Sequence, residues 1–244
     1  MSAPHAPLTR YYGSEAERSG WVRSIFSRTA GDYDRIERVL GLGTGSWYRR
    51  RALMRAGLAA GMTVIDVGTG TGLVAREAAA VVGDARLVSG VDPSPGMVEH
   101  ARVPPGVRLL AGCAEAIPAA DSTADFVSMG YALRHIADLA PAFAEMFRVL
   151  HPGGRMCLLE ITSPQGTVGR TLLKAYLRGF VPAIAAVVSH HRDTPELMRY
   201  YWDTIAACVA PVAIMQALGA AGFVAIDRHV ELGIFSEYRA RKPG

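Results

Sequence analysis

From residue 63 onward the chain alternates between two hydrophobic rhythms. Short β-branched or apolar runs at Thr63–Val67, Arg86–Val91, Val107–Ala111, Asp125–Gly130 and Arg155–Ile161 read as buried strands. Between them Leu73–Val82, Gly96–Ala101 and Asp138–Leu150 read as helices. Strands alternating with helices predict a parallel sheet covered on both faces. Upstream, "SEAERSGWVRSIFSRTA" spaces Trp21, Val22, Ile25, Phe26 and Ala30 at helical intervals, so residues 14–58 are expected to be helical. After Ile161 the rhythm breaks, and residues 162–210 read as mostly helical without belonging to a βα unit. A helix in "PVAIMQALGAAGF" then ends at Gly222, and "VAIDRHVELGIFSEYRA" supplies two strands close enough for an antiparallel hairpin.

The expected architecture is a single α/β domain over residues 1–244. A doubly wound, mostly parallel seven-stranded sheet ends in a C-terminal antiparallel hairpin. The expected division is a helical N-terminal cap at 1–60, a core at 61–161, a helical lid at 162–210, and a core helix with an edge hairpin at 211–244.

Composition narrows the function classes. Half of the 244 residues are hydrophobic and the formal charge is only +4. The cations are scattered, Arg49-Arg50-Arg51 being the longest run, so no nucleic-acid partner is expected. Cys113, Cys157 and Cys208 form neither a CxxC pair nor a disulfide framework, which suits a reducing cytoplasm. The first twenty residues have no apolar core, so no signal peptide is expected. The apolar stretch at Phe180–Val188 falls well short of the ~20 residues of a membrane span.

"VIDVGTGTGLVA" carries the chemistry. In an open α/β sheet a ligand sits beyond the carboxyl ends of the strands. Asp66, Gly68, Thr69, Gly70, Thr71 and Gly72 stand there, at the end of the first strand. The glycine spacing fails the dinucleotide pattern G-x-G-x-x-G, and no lysine completes a Walker loop. What remains is the D/E-x-G-x-G-x-G loop of S-adenosylmethionine methyltransferases, where missing side chains let the backbone approach the ligand. Asp92, followed by Pro93 at the end of the next strand, is placed to take the ribose hydroxyls.

Further segments complete a pattern: "IFSRTAGDYDRIERVLGLGTGSWYRR", "CAEAIP", "GYALRHIADLAPAFAEMFRVLHPGGR", "LLEITSP" and "GIFSEYRARK". With them the chain resembles the class I methyltransferases, and more narrowly the ubiquinone/menaquinone C-methyltransferase family, over about residues 20–242. The resemblance implies S-adenosylmethionine as cofactor and S-adenosylhomocysteine as product. It implies that Thr71 and the glycines meet the methionine part, Asp92 the ribose, Cys113 and Ala114 the adenine, and Gly130 the sulfonium. Tyr33 would fold over the cofactor. Two departures stand out: Cys113 occupies a position where the family has Asp or Asn, and "GYALRH" replaces S-F-G-L-R-N. In the lid, Ala206, Ala207, Cys208 and Val209 replace a polar group, so the acceptor is expected to differ from the standard demethylquinol or to be held differently.

C-methylation of a phenol needs a base or a cation beside the hydroxyl. His135, Arg134 and Glu160 are the expected catalytic candidates, and Tyr131, Tyr200, Trp202 and Tyr238 the expected acceptor contacts. His190 and His191 could also serve from the lid. No metal-ligand spacing is present, so no metal is expected. The expected acceptor is a small aromatic molecule, with transient membrane contact if it is prenylated; a homodimer is left open. O- or N-methylation of a small natural product is the alternative reading, and a non-catalytic S-adenosylmethionine-binding subunit a minor one.

Overall fold

The computed structural model describes residues 3–40, 43–164, 166–188 and 192–244, with side chains for all of these except 15, 39, 40 and 185–188. His190 and His191 lie outside the described residues. Two helices, α1 (Glu15–Leu40) and α2 (Gly45–Arg55), precede the sheet. The core follows as β1 (Val64–Val67), α3 (Leu73–Val82), β2 (Val88–Asp92), α4 (Pro95–Glu99), β3 (Arg108–Ala111), β4 (Ala124–Gly130), α5 (Leu139–Val149) and β5 (Leu150–Ile161). The segment after β5 contains α6 (Thr167–Ala175), a π-helical turn at Tyr176–Phe180, α7 (Val181–Val188) and α8 (Thr194–Ala207). α9 (Pro211–Ala220), β6 (Val224–Glu231) and β7 (Phe235–Arg241) close the domain.

The seven strands run in the order β3-β2-β1-β4-β5-β7-β6, and β7 is the one reversed strand, antiparallel to both β5 and β6. The order reverses between β1 and β4, so a crevice opens at their carboxyl ends. β1 and β2 are buried at every position, which is why they read as continuous apolar runs. One core packs α5 and α9 on one face of the sheet, and a second packs α2 and α3 on the other.

Local chemistry moves several boundaries from where the sequence suggests them. Asp84 caps a 3-10 turn at Ala85–Leu87, so β2 begins at Val88 instead of Arg86. Ser94 caps α4, its hydroxyl accepting the Met97 amide, and Pro95 suits the first turn. α1 lies against that turn because Gly96 has no side chain: a Cβ there would sit 2.5 Å from the Ser27 carbonyl oxygen. The Ser27 and Ser94 hydroxyls then meet at 2.7 Å. Among the described residues no single helix is long and apolar enough to cross a membrane.

Candidate active site

The glycine loop is built from behind by Asp66. Its fully buried carboxylate accepts the Thr69 and Ser128 hydroxyls, each at 2.7 Å. Burial pushes this carboxyl up to about 6, against the pull of those two hydroxyls. With both oxygens engaged, Asp66 shapes the loop and does not reach outward. Gly68, Gly70 and Gly72 all have positive φ. At Gly70 a side chain would meet only Met97 Sδ, 4.0 Å away, so space for a ligand lies open beside the backbone.

Asp92 closes the other side of that space. Its two oxygens accept the Gly70 and Ser94 amides at 2.8 Å each, which leaves acceptor capacity for ribose hydroxyls. Burial raises its carboxyl and those two amides lower it. Pro93 is exposed at the rim, Cys113 is half-buried beyond β3, and Ala114 is buried in the core. Burial pushes the Cys113 thiol up, so it is a neutral, weak partner. Gly130 ends β4 against α3, where a Cβ would lie 2.4 Å from a Val74 methyl.

A third contact ties α1 to this loop. Asp34 accepts the Thr71 hydroxyl, and Arg76 reaches the same carboxylate at 3.3 Å. Asp34 stands beside Tyr33 and carries no local sequence signal of its own. This spacing puts one residue of "DYD" on the loop and the next on the adjoining cleft.

That cleft, of about 360 Å³, lies between α1, α2, α8 and the β6–β7 hairpin. Tyr33, Tyr131 and Tyr201 line it, with Ile36, Leu197 and Met198 among its apolar wall. The Tyr33 and Tyr201 hydroxyls meet at 2.7 Å. Burial raises all three phenols, so they remain protonated donors near neutrality. Tyr131 has a φ of 60° directly after Gly130, where few non-glycine residues go.

Behind Tyr201 sits a buried ion pair. Arg134 and Glu160 are both buried and joined through Nη1 and Oε2, and the guanidinium lies 5.8 Å from the Tyr201 ring centre. Nε and Nη2 of Arg134 have no hydrogen-bond partner among the described residues. Burial raises the Glu160 carboxyl and Arg134 lowers it. Arg18 supports the loop from below, donating to the Arg134 carbonyl at 2.9 Å.

The other expected residues separate. Tyr200 is fully buried against Trp21 and Tyr11 and does not line the cleft. Tyr201, one position and about 100° further around α8, does. His135 packs between Phe26, Tyr200 and Tyr201, lines neither of the two cavities described, and its Nε2 has no hydrogen-bond partner among the described residues. Burial first, and then the charge of Arg134, push its imidazole well below its usual value. Trp202, Tyr238 and Glu160 line a second cavity of about 310 Å³, on the other side of Ile161 and Ile205. Tyr201 and Asp34 were legible only as polar residues in helical stretches; nothing local distinguished them.

Fold and loop together define an S-adenosylmethionine-dependent methyltransferase of class I, and solved structures share the architecture. A Thermotoga maritima methyltransferase described as a possible histamine N-methyltransferase superposes with a TM-score of 0.63 at 21% identity, covering 91% of this chain and 99% of that one. A putative S-adenosylmethionine-dependent methyltransferase from Methanococcus maripaludis gives 0.62 at 18% identity, covering 89% and 94%. The chain belongs to the ubiE/COQ5 methyltransferase family, whose model matches residues 13–242. Its relatives include a demethylmenaquinone methyltransferase from Deinococcus radiodurans, 32% identical over 96% of both chains. A 2-phytyl-1,4-naphtoquinone methyltransferase from Thermosynechococcus vestitus is 31% identical over 87% of this chain and 94% of that one.

Proposed function

We propose that the protein methylates a ring carbon of a phenolic or quinol-type aromatic acceptor. The observation that carries this reading is the apolar cleft ending in Tyr33, Tyr131 and Tyr201, with the buried Arg134 cation behind. An apolar ring with one acidic hydroxyl suits such a site: walls for the ring, donors and a cation for the oxygen. The relatives named for naphthoquinone and demethylmenaquinone substrates support the same class.

The cofactor, held by the glycine loop and Asp92, supplies an electrophilic methyl group on sulfur. The protein's part is to orient the acceptor in line with it and to favour the phenolate, in which the carbon beside the oxygen is nucleophilic. Protonated Tyr33 and Tyr201 donate to that oxygen, and Arg134 offsets its charge. When bound, the cofactor would give its methyl group to the ring carbon and keep the carbon–sulfur electron pair on sulfur. The hydroxyl proton would leave to water at the cleft mouth beforehand, and loss of the ring proton to water would restore aromaticity, with the oxygen reprotonated, for a net release of one proton. His135 supports Tyr200 and Tyr201 by packing and is a positioning residue in this reading.

The test is incubation with methyl-labelled S-adenosylmethionine and a panel of prenylated quinols, simple phenols and amines. Carbon-13 NMR of the product should show the label on a ring carbon. A label found only on oxygen or nitrogen would sink the proposal and favour the alternative reading.

A further inference from the structure

Five exposed large apolar side chains belong to elements that line the large cleft. Val168, Leu172 and Phe180 are 74, 66 and 56% exposed on α6 and its π-helical continuation. Trp47 on α2 and Leu232 in the β6–β7 turn are 60 and 81% exposed. Trp47 and Leu232 line the large cleft, and so do Leu173, Tyr176 and Leu177 from the segment that bears the first three. The cleft therefore opens among apolar side chains that already face water. Grouped exposure of this kind marks a surface made to be covered.

The segment that bears three of these side chains carries charge of one sign. From Ile161 to Arg192 the sequence contains no aspartate or glutamate, but carries Arg170, Lys174, Arg178 and Arg192. Arg170, Lys174 and Arg178 are exposed and interspersed with Val168, Leu172 and Phe180. The Arg51 guanidinium lies 5.2 Å from the Trp47 ring centre, adding a cation on the other side of the mouth. The two acids that line the cleft are both ion-paired, Glu37 with Arg49 and Glu231 with Arg55. A second copy of the chain docked face to face here would set these cations against their own kind.

We propose that this face docks on an anionic phospholipid bilayer. Val168, Leu172, Phe180, Trp47 and Leu232 enter the interface, the surrounding cations meet the headgroups, and the cleft opens onto the acyl region. An exposed apolar stripe flanked by cations on a short helix is the pattern of an interfacial helix, and a negative surface potential holds such cations close. The proposal deepens the reading of the cleft as an acceptor site, and a lipid-soluble acceptor would then enter without crossing water. Its test reads binding, so the two can fail separately.

The full chain is sedimented with vesicles of phosphatidylcholine alone and with about one third phosphatidylglycerol. Expected is at least about tenfold stronger partitioning onto the anionic vesicles, lost at about 0.5 M salt. Two double variants, Val168→Asp with Leu172→Asp, and Lys174→Glu with Arg178→Glu, should each lose about tenfold. Their circular dichroism should match the parent, as should methylation of a short water-soluble phenol. No binding, equal binding to both vesicles, or binding unmoved by both variants would overturn the proposal. So would light scattering that finds a dimer dispersed by Leu172→Asp, since a second copy would then cover the face. Vesicle binding by a protein that methylates no phenol would leave this surface standing and remove the acceptor reading alone.

Discussion

Neighbouring residues on one helix take opposite parts here, and the difference is testable. Tyr201 presents its hydroxyl to the cleft, hydrogen-bonded to that of Tyr33, while Tyr200 fills the core beside Trp21. Under the proposed reaction, Tyr201→Phe should lower kcat about tenfold with little loss of stability, because it would remove one donor to the developing phenolate. Tyr200→Phe should leave kcat near the parent value. Steady-state kinetics on the two variants checks the assignment, and equal losses would refute it. Asp92→Ala should weaken both S-adenosylmethionine and S-adenosylhomocysteine by about 1.5–3 kcal/mol in calorimetry, through lost ribose bonds and a slackened Gly70 amide. His135 bears on stability. Its imidazole titrates below its usual value because burial disfavours the charge, so the unfolded chain takes the proton first. Stability is therefore fully present above about pH 6.5 and falls as pH drops below it, by up to about 1.4 kcal/mol per pH unit. Denaturant titrations at about pH 7 and pH 5.5 should show His135→Asn losing less than the parent. Glu160 and Asp66, both raised, shift the other way in acid, so the difference between the two proteins is the quantity to read.

At the scale of elements, α1 is a clasp. Asp34 grips the glycine loop through Thr71 and Arg76, and the bare Gly96 lets α1 settle on the turn after β2. Asp34→Ala should lower cofactor affinity about tenfold and speed hydrogen exchange in α1, although Asp34 is assigned no contact with the cofactor. Unchanged exchange in α1 would show that the clasp is decorative. The elements themselves were largely legible in the sequence. Strands buried on both faces, a glycine loop after the first of them, and a hairpin after "ALGAAGF" needed only local pattern. The clasp was not legible, because it joins residues far apart in sequence through a hydroxyl and a carboxylate that no periodicity marks. The same holds for α8: "YYW" shows three aromatic residues, but which faces the cleft depends on how the helix is rolled against α1. Trp202 and Tyr238, expected as acceptor contacts, line the second cavity and not the cleft.

For the whole molecule, β5 is the partition. Its last residues serve both sides of the sheet, with Glu160 lining one cavity and Ile161 lining both. Ile205 of α8 stands opposite and also lines both. The wall between about 360 Å³ and about 310 Å³ is thus only a pair of branched side chains thick. Ile205→Ala should cost about 2–4 kcal/mol in denaturant unfolding, the usual range for a truncated core side chain. It should also breach the wall. The two chambers would then form one longer bore, and acceptor scope would widen toward molecules with a second bulky substituent. Selectivity for acceptor shape in this protein would then rest on two isoleucines that touch no reacting atom, and breeding a broader catalyst would begin with them.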